Sequence, residues 1–329
     1  PAECLFGAGD LEPEAILSAG GHLGHDEAPS RPAAKTEHDT PVIVRRDIHG
    51  FRLHDGRAFA AEGVHVSFRP PPHGEKRPQV GAHGVDTLTV VTDVSKVEQV
   101  EALAAATMER FGAVHVVCNN AGVGGAGDPW VGPIETWEWV IGVNLWGVIH
   151  GVRAFLPHIV MSGGGHIMNT ASIAGLYPGF APPYDATKHA VVALTEGLYT
   201  SLQAADMPVG VSCLCPGWVK TGIAESERNW PAELGAMPER DAGAEISRGY
   251  VQRAIAEGMS PAAVADLVLD AVGNDRFWIF PHADFLEIAM ERFHTVGEGL
   301  NPEPPEEFPG MPPRSQMMAE IMAAMLPPE

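Results

Sequence analysis

The sequence predicts an α/β fold: a doubly wound sheet of about seven parallel strands, in a single domain with extensions at both ends. Three observations predict it. From Pro41 onward, short β-branched runs alternate with longer stretches carrying apolar residues at three- and four-residue steps, the pattern of a parallel sheet covered by helices on both faces. The 329 residues include 45% hydrophobic ones, ample for one large core with tails. Two flanking segments fall outside the alternation.

The strand-like runs are Pro41 to Val44, Val64 to Phe68, Thr87 to Val91, Val114 to Cys118, His166 to Asn169, Val209 to Leu214 and Phe277 to Phe280. Helical patterns lie between them at Val97 to Phe111, Glu135 to Phe155, Ala186 to Leu202 and Pro261 to Val272. Strands joined by crossover helices in this way build a nucleotide-binding sheet. Residues 1–40, rich in Gly, His and Pro, read as a poorly ordered N-terminal extension, residues 41–295 as the domain, and residues 296–329 as a Pro-rich tail. The tail contains Asn301-Pro302-Glu303-Pro304-Pro305 and closes in a Met- and Ala-rich stretch, Ser315 to Leu326. That stretch could form a short helix, either packed on a neighbour or solvated.

Composition narrows the partners. Lys and Arg number 21 against 42 Asp and Glu, so the field of the whole molecule repels polyanions and no nucleic-acid partner is expected. No uninterrupted apolar run approaches the ~20 residues of a membrane span, so no membrane partner is expected either. Cys4, Cys118, Cys213 and Cys215 are too few and too irregularly spaced for a zinc site or a disulfide framework. None of the 15 histidines forms a metal cluster. The start, Pro1-Ala2-Glu3-Cys4, lacks a basic region followed by an apolar one, so no secretory signal is expected and a cytoplasmic setting follows.

Chemistry concentrates around Tyr184-Asp185-Ala186-Thr187-Lys188, which sets a phenol and an ammonium four residues apart on one helical face. Twelve residues upstream of Tyr184, Ser172 follows the end of the strand His166 to Asn169, and such strand ends are where open α/β sheets build ligand sites. Moving a hydride to or from a carbinol carbon requires a proton to join or leave its oxygen. A phenol with a pKa near 10 is a poor base, and bringing it to neutrality takes about 4 kcal/mol of differential stabilisation. The Lys188 cation and a positively charged nicotinamide would supply it together, while Ser172 orients the substrate oxygen.

Further motifs accompany this group. Asn119-Asn120-Ala121-Gly122 directly follows the strand Val114 to Cys118, Asn144 stands inside a helical stretch, Asp93-Val94 follows the strand Thr87 to Val91, and Pro216-Gly217-Trp218-Val219-Lys220-Thr221 follows Val209 to Leu214. In this order and near this spacing, from about Val64 to Phe280, they resemble the short-chain dehydrogenase/reductase family, which implies a Rossmann-like fold and an NAD- or NADP-dependent oxidoreductase acting on a small-molecule secondary alcohol or ketone. The resemblance makes Tyr184 the general acid/base, Lys188 its electrostatic and ribose-binding partner, Ser172 the substrate orienter, and Asn144 the holder of a water in the proton relay. It places Asn120, Ala121 and Gly122 along the cofactor site and Asp93 and Val94 at the adenine. Pro216, Gly217, the Val219 backbone and the Thr221 hydroxyl fall at the nicotinamide carboxamide. A homodimer or homotetramer is implied as well, through the helices at Glu135 to Phe155 and Ala186 to Leu202.

One stretch departs from the family. Its phosphate loop, Thr-Gly-x-x-x-Gly-x-Gly, should follow the first strand, with glycines letting the backbone approach a pyrophosphate at a helix N-terminus. Arg45 to Gly56 keeps the spacing, but Arg46 and Arg52 replace two of the glycines and only Gly50 remains. Arg69-Pro70-Pro71-Pro72 then stands where a helix should continue. Two accounts are open: segments 45–56 and 69–83 are written in a shifted reading frame, or the arginines take over the phosphate. Arg69 ends the second strand, where an acidic side chain would select NAD and a basic one NADP, so the choice between them stays open. The degenerate loop also supports a rival reading, a non-catalytic binding or scaffold protein on the same fold.

Overall fold

The short β-branched runs form strands. This computed structural model describes the backbone of residues 42–45, 51–52, 58–59 and 64–67, and residues 86–125, 128–179 and 181–325. Nine strands are found among them: β1 (Val42–Arg45), β2 (Phe51–Arg52), β3 (Ala58–Phe59), β4 (Val64–Ser67), β5 (Asp86–Thr89), β6 (Val116–Asn119), β7 (Gly165–Thr170), β8 (Val209–Leu214) and β9 (Trp278–Ile279). Seven make one sheet in the order β5-β4-β1-β6-β7-β8-β9, while β2 and β3 pair separately. The chain builds outward to β5 on one side of β1 and then to β9 on the other, which is the doubly wound plan.

One strand differs from the all-parallel expectation. The pairs β4–β5, β6–β7, β7–β8 and β8–β9 are parallel, but β1 runs antiparallel to both neighbours, with Val44 opposite Val66 and Val117. Parallel neighbours need a long crossover, usually a helix. Between β1 and β4 the described elements are β2 and β3 instead, and an antiparallel neighbour needs no crossover helix. Gly50, Arg46, Arg69 and the segments 1–40 and 69–83 lie outside the described residues.

The helices follow the apolar spacing. Helix α1 (Val97–Phe111) buries Val100, Leu103, Ala104 and Thr107 and ends at Gly112, whose φ of 73° is the left-handed cap that glycine permits. Helix α2 (Glu135–Ile141) continues through a π turn, Gly142–Trp146, into α3 (Gly147–Met161). By length and composition this run could cross a membrane; its Val140, Phe155 and Ile159 are instead packed into the core against the sheet. Beyond it come α4 (Pro182–Ala204), α5 (Ala242–Glu257), α6 (Pro261–Gly273), α7 (Asp284–Gly297) and α8 (Arg314–Met325).

Strand alternation divides the core. Ile167 and Val211 face the helices α1 and α3, whereas Met168 and Leu214 face α6 through Val264 and Ala271. On the first side a further cluster joins Val148, Val191 and Cys213 to Phe285 and Phe308. Phe308 comes from the tail and is seated in the domain, whereas the helix the sequence allowed at Ser315 to Leu326 is largely solvated, with Met317 and Ile321 half-buried. That helix, α8, bonds to α5 through Tyr250 and Glu320.

Candidate active site

Strands β6, β7 and β8 stop level with one another, Asn119 pairing with Asn169 and Thr170 with Leu214. A buried polar ladder locks these ends. Asn119 Nδ2 donates to Asn169 Oδ1 at 2.8 Å, Asn169 Nδ2 to Thr195 Oγ1 at 3.1 Å, and Thr170 Oγ1 to Asn120 Oδ1 at 2.8 Å. Asn119 Oδ1 is buried without a partner, but the three bonds of the ladder still hold the strand ends in one geometry in a low-dielectric interior. They clamp the Asn120–Gly122 turn to β7.

Ser172 follows β7 as the cap of the short 3-10 turn Ile173–Gly175, its Oγ accepting from Ala174 N at 3.1 Å. Tyr184 sits in the first turn of α4, whose start is set by Asp185: its Oδ2 accepts from Gly179 N at 2.8 Å and Ala181 N at 3.3 Å. The Ser172 and Tyr184 side chains are hydrogen-bonded to each other. One turn further on, Lys188 is buried, with Nζ 5.4 Å from the Tyr184 ring centroid and donating to Thr170 O at 2.8 Å. An ammonium has three donors, so two remain for ribose hydroxyls or a water.

Electrostatically the pair differs from the lysine-acidified phenol expected. Burial pushes the Tyr184 phenol up to about 12, against the hydrogen bond from Ser172, with Asp185 and Cys215 pushing the same way as burial. Burial also pulls Lys188 down to about 8, opposed by the nearby Cys213 and Cys215 thiols. Desolvation penalises whichever form is charged. Within the chain alone it outweighs the attraction between the two groups, and Tyr184 is held as an acid.

Asn144 is fully buried within the π turn. Its Oδ1 accepts from Val123 N at 2.8 Å, and its Nδ2 donates to Val123 O at 3.0 Å and Thr187 Oγ1 at 3.3 Å. Both amide donors are thus engaged, in a widened turn of the kind found at functional sites. A Cβ at Gly122 would lie 3.5 Å from Asn144 Oδ1 and 3.6 Å from Lys188 Nζ. The turn therefore runs directly over these two groups.

The Pro216–Thr221 element docks on the same floor. Pro216 O accepts from Ile173 N at 3.0 Å and from Ser172 Oγ at 3.4 Å. Gly217 N donates to His282 Nδ1 at 3.1 Å, and a Cβ there would stand 2.7 Å from the Phe285 ring, so only glycine fits. Val219 bridges Met259 in parallel, with Met259 N bonding Trp218 O and Lys220 N bonding Met259 O. In such a ladder the N–H and C=O of Val219 itself point the other way, available to a ligand amide. Thr221 is exposed.

Asp93 and Val94 stand apart from Ser172 and Tyr184, against α3. Val94 O bonds His150 Nδ1 at 2.9 Å, its side chain packs on Gly147, and Asp93 Oδ1 accepts from Ser95 N and Oγ. Gly50 lies outside the described residues. Among the described residues no group of His, Cys, Asp and Glu could hold a metal ion.

A cavity of about 700 Å³ opens over Ser172 and Tyr184. It is in the size range of small-molecule sites, and its walls include Tyr177, Trp218, Phe285 and Phe308. Sequence reasoning missed Thr170 as the lysine's carbonyl partner, Phe285 and His282 beside Gly217, and Phe308. The first sits next to residues already singled out; the others are far along the chain with nothing local to mark them.

The residues present suit a nicotinamide nucleotide: glycine where the backbone must approach, a buried lysine with donors to give, and a free backbone edge at Val219. Residues 50–232, more than half of the chain, match the model of the short chain dehydrogenase family. The 1-deoxy-11-beta-hydroxypentalenate dehydrogenase of Streptomyces avermitilis is 35% identical over 226 residues, covering 68% of this chain and 76% of that protein. A CLA biosynthesis dehydrogenase/reductase of Lactiplantibacillus plantarum is 30% identical over 267 residues, 78% of this chain and 93% of its own. Among solved structures, a short chain dehydrogenase/reductase from Burkholderia phymatum in complex with NAD superposes with a TM-score of 0.67 at 42% identity, covering 69% of this chain and 82% of that one. The chain belongs to the short-chain dehydrogenase/reductase family and is an NAD(P)-dependent oxidoreductase.

Proposed function

We propose that the cavity over Ser172 and Tyr184 interconverts a secondary alcohol and a ketone, with Tyr184 giving or taking the oxygen's proton. The observation that carries this is the hydrogen-bonded Ser172–Tyr184 pair on the cavity floor with the Lys188 ammonium one helical turn behind it. The names of relatives point to hydroxyl-bearing substrates too, among them the 2-(R)-hydroxypropyl-CoM dehydrogenase of Xanthobacter autotrophicus, 32% identical over 207 residues, 60% of this chain and 75% of that one.

When bound, NAD or NADP supplies or accepts the hydride. Lys188 would hold its ribose, the Asn120–Gly122 turn, the Val219 backbone and Thr221 its nicotinamide end, and Asp93 and Val94 its adenine. Ser172 and Tyr184 grip the substrate oxygen from two sides, which orients the carbinol carbon before any bond changes. In the reducing direction Tyr184 is already protonated at neutral pH, as its raised pKa requires, and donates to the oxygen as charge develops there. Its proton is replaced through Lys188 and a water held at Asn144.

The rival reading of a non-catalytic scaffold drew on the degenerate loop at 45–56; the geometry of Ser172, Tyr184 and Lys188 supports catalysis instead. Reduction of a ketone panel with NADH and with NADPH, by the wild type and by Tyr184→Phe, tests this. Tyr184-dependent turnover supports it, and nucleotide binding without any turnover would favour the scaffold.

The same reading extends to assembly and setting. Met290, Phe293 and Val296 are exposed along α7, as is Trp146 at the end of the π turn, and these are the apolar groups a second copy would cover in a homodimer or homotetramer. Light scattering on the purified protein tests it. A cytoplasmic setting is supported by Cys213 and Cys215 being buried thiols outside any disulfide. A net charge of −21 argues against nucleic acid.

A further inference from the structure

The wall of the cavity facing Ser172 and Tyr184 is not made by the matched region 50–232 alone. The tail supplies part of it. Phe308 and Ile321 both line the cavity, and the Phe308 ring lies 5.1 Å from that of Phe285, 6.2 Å from Tyr177 and 6.3 Å from Trp218. Phe308 is 8% exposed, so this is a seated side chain and not a loose flap.

The segment around it is built to hold that position. Trp218 Nε1 donates to Pro309 O at 2.7 Å, which fastens the tail to the residue between Gly217 and Val219. Gly310, at φ 76°, lies flat on the indole, where a Cβ would stand 2.8 Å from Trp218 Cδ1. The turn is closed by Met311 N to Phe308 O at 3.0 Å and Arg314 N to Glu306 O at 2.7 Å. Helix α8 then runs back over α5, tied by the Tyr250 hydroxyl to Glu320, and brings Ile321 to the cavity.

The cavity carries no excess of positive charge. Arg240 and Arg248 line it beside Asp128, Asp185, Glu227, Glu239 and Asp241, and both arginines meet Glu227 and Glu245. Two guanidinium groups against five lining carboxylates disfavour an anionic substrate. The body of a neutral substrate is left to the aromatic and aliphatic wall.

We propose that residues 306–325 form the specificity wall of this active site, with Phe308 and Ile321 as specificity-determining side chains that admit a neutral, apolar-bodied ketone or alcohol and limit its bulk. The proposal rests on the oxidoreductase reading above. Shape then acts through contact with these two side chains, and shrinking or enlarging either should move selectivity in opposite directions.

The test compares cyclohexanone with the bicyclic 1-decalone in nucleotide-driven reduction by wild type, Phe308→Ala and Ile321→Trp. Phe308→Ala is expected to raise the ratio of kcat/KM for the bicyclic over the monocyclic ketone by about tenfold, and Ile321→Trp to lower it by about as much. Ile321 is only partly buried and lies on the last helix, most of whose residues are exposed, so its variant reads the wall even if Phe308→Ala fails to fold. A ratio within about twofold of wild type for Ile321→Trp, in an enzyme whose turnover still requires Tyr184, overturns the wall and leaves the oxidoreductase reading standing. If the wild type reduces no ketone with either nucleotide, the oxidoreductase reading fails and the wall fails with it.

Discussion

Asn144 grips Val123 by both polar atoms of its backbone, accepting from the N–H at 2.8 Å and donating to the C=O at 3.0 Å. The side chain thereby does for Val123 what a neighbouring strand would do. It also fixes the turn that passes over Lys188. Replacement by leucine keeps the volume and leaves the Val123 groups buried without partners, at about 1–3 kcal/mol each for a lost buried partner. Asn144→Leu should lower stability by about 2–4 kcal/mol in urea unfolding; an unchanged midpoint would contradict the packing described.

Tyr184→Phe removes one oxygen and little else. Turnover should fall by about a hundredfold to ten-thousandfold, while NADH or NADPH binding, followed by fluorescence titration, changes little. A variant retaining more than about half of its turnover would show that the proton comes from elsewhere.

Lys188 carries its charge at a cost to the fold. Its pKa is about 8 in the folded chain against an ordinary 10.5, so the unfolded chain binds the proton more tightly between these values and stability rises with pH across that window. Below pH 8 the full penalty applies, on the order of 3 kcal/mol. Lys188→Met should therefore melt higher than wild type at pH 7, with the difference shrinking toward pH 10 and activity lost. Equal melting temperatures at both pH values would refute it.

At the opposite end of the sheet His166 is buried neutral, its Nε2 2.7 Å from Ser212 Oγ. Burial holds it at about 3 instead of 6.5. The Asp275 carboxylate 3.8 Å away is half exposed, and solvent screening leaves it too weak to offset this. The folded chain refuses a proton that the unfolded chain accepts, so the stability present above pH 6.5 is lost as pH falls toward 3, at about 1.4 kcal/mol per pH unit. His166→Gln should flatten that acid limb in a melting-temperature profile; a profile as steep as wild type would exclude His166 as its source.

Local pattern carried the reading of the fold a long way. Helix α1 begins and ends where the apolar steps from Val97 to Phe111 say it should, because its buried residues and its glycine cap are all written within fifteen residues. The direction of β1 was not legible in the same way, since Val42 to Val44 reads alike in either direction and pairing depends on the chain that follows. The Ser172–Tyr184–Lys188 group was legible because helical spacing and a strand end bring it together. Phe308 was not, because its partners Trp218 and Phe285 are separated from it by 90 and 23 residues, and only the folded chain sets them side by side. The sign of the Tyr184 shift was missed for a related reason: sequence shows the neighbouring cation but not the depth at which both groups lie.

The widened turn at Gly142–Trp146 sets a phase relation along the longest helical run. A residue more than the regular helix needs turns everything after it by about 100°. Trp139 and Val140 before the turn, and Phe155 and Ile159 after it, all reach the same core only with that offset in place. Drawing the same residues into a regular helix, with none removed, would swing one half of it out of phase, so that one of those two apolar sets had to face water. The position of Asn144 and the seating of the whole helix are therefore one arrangement, and a regular turn over the same residues would undo both.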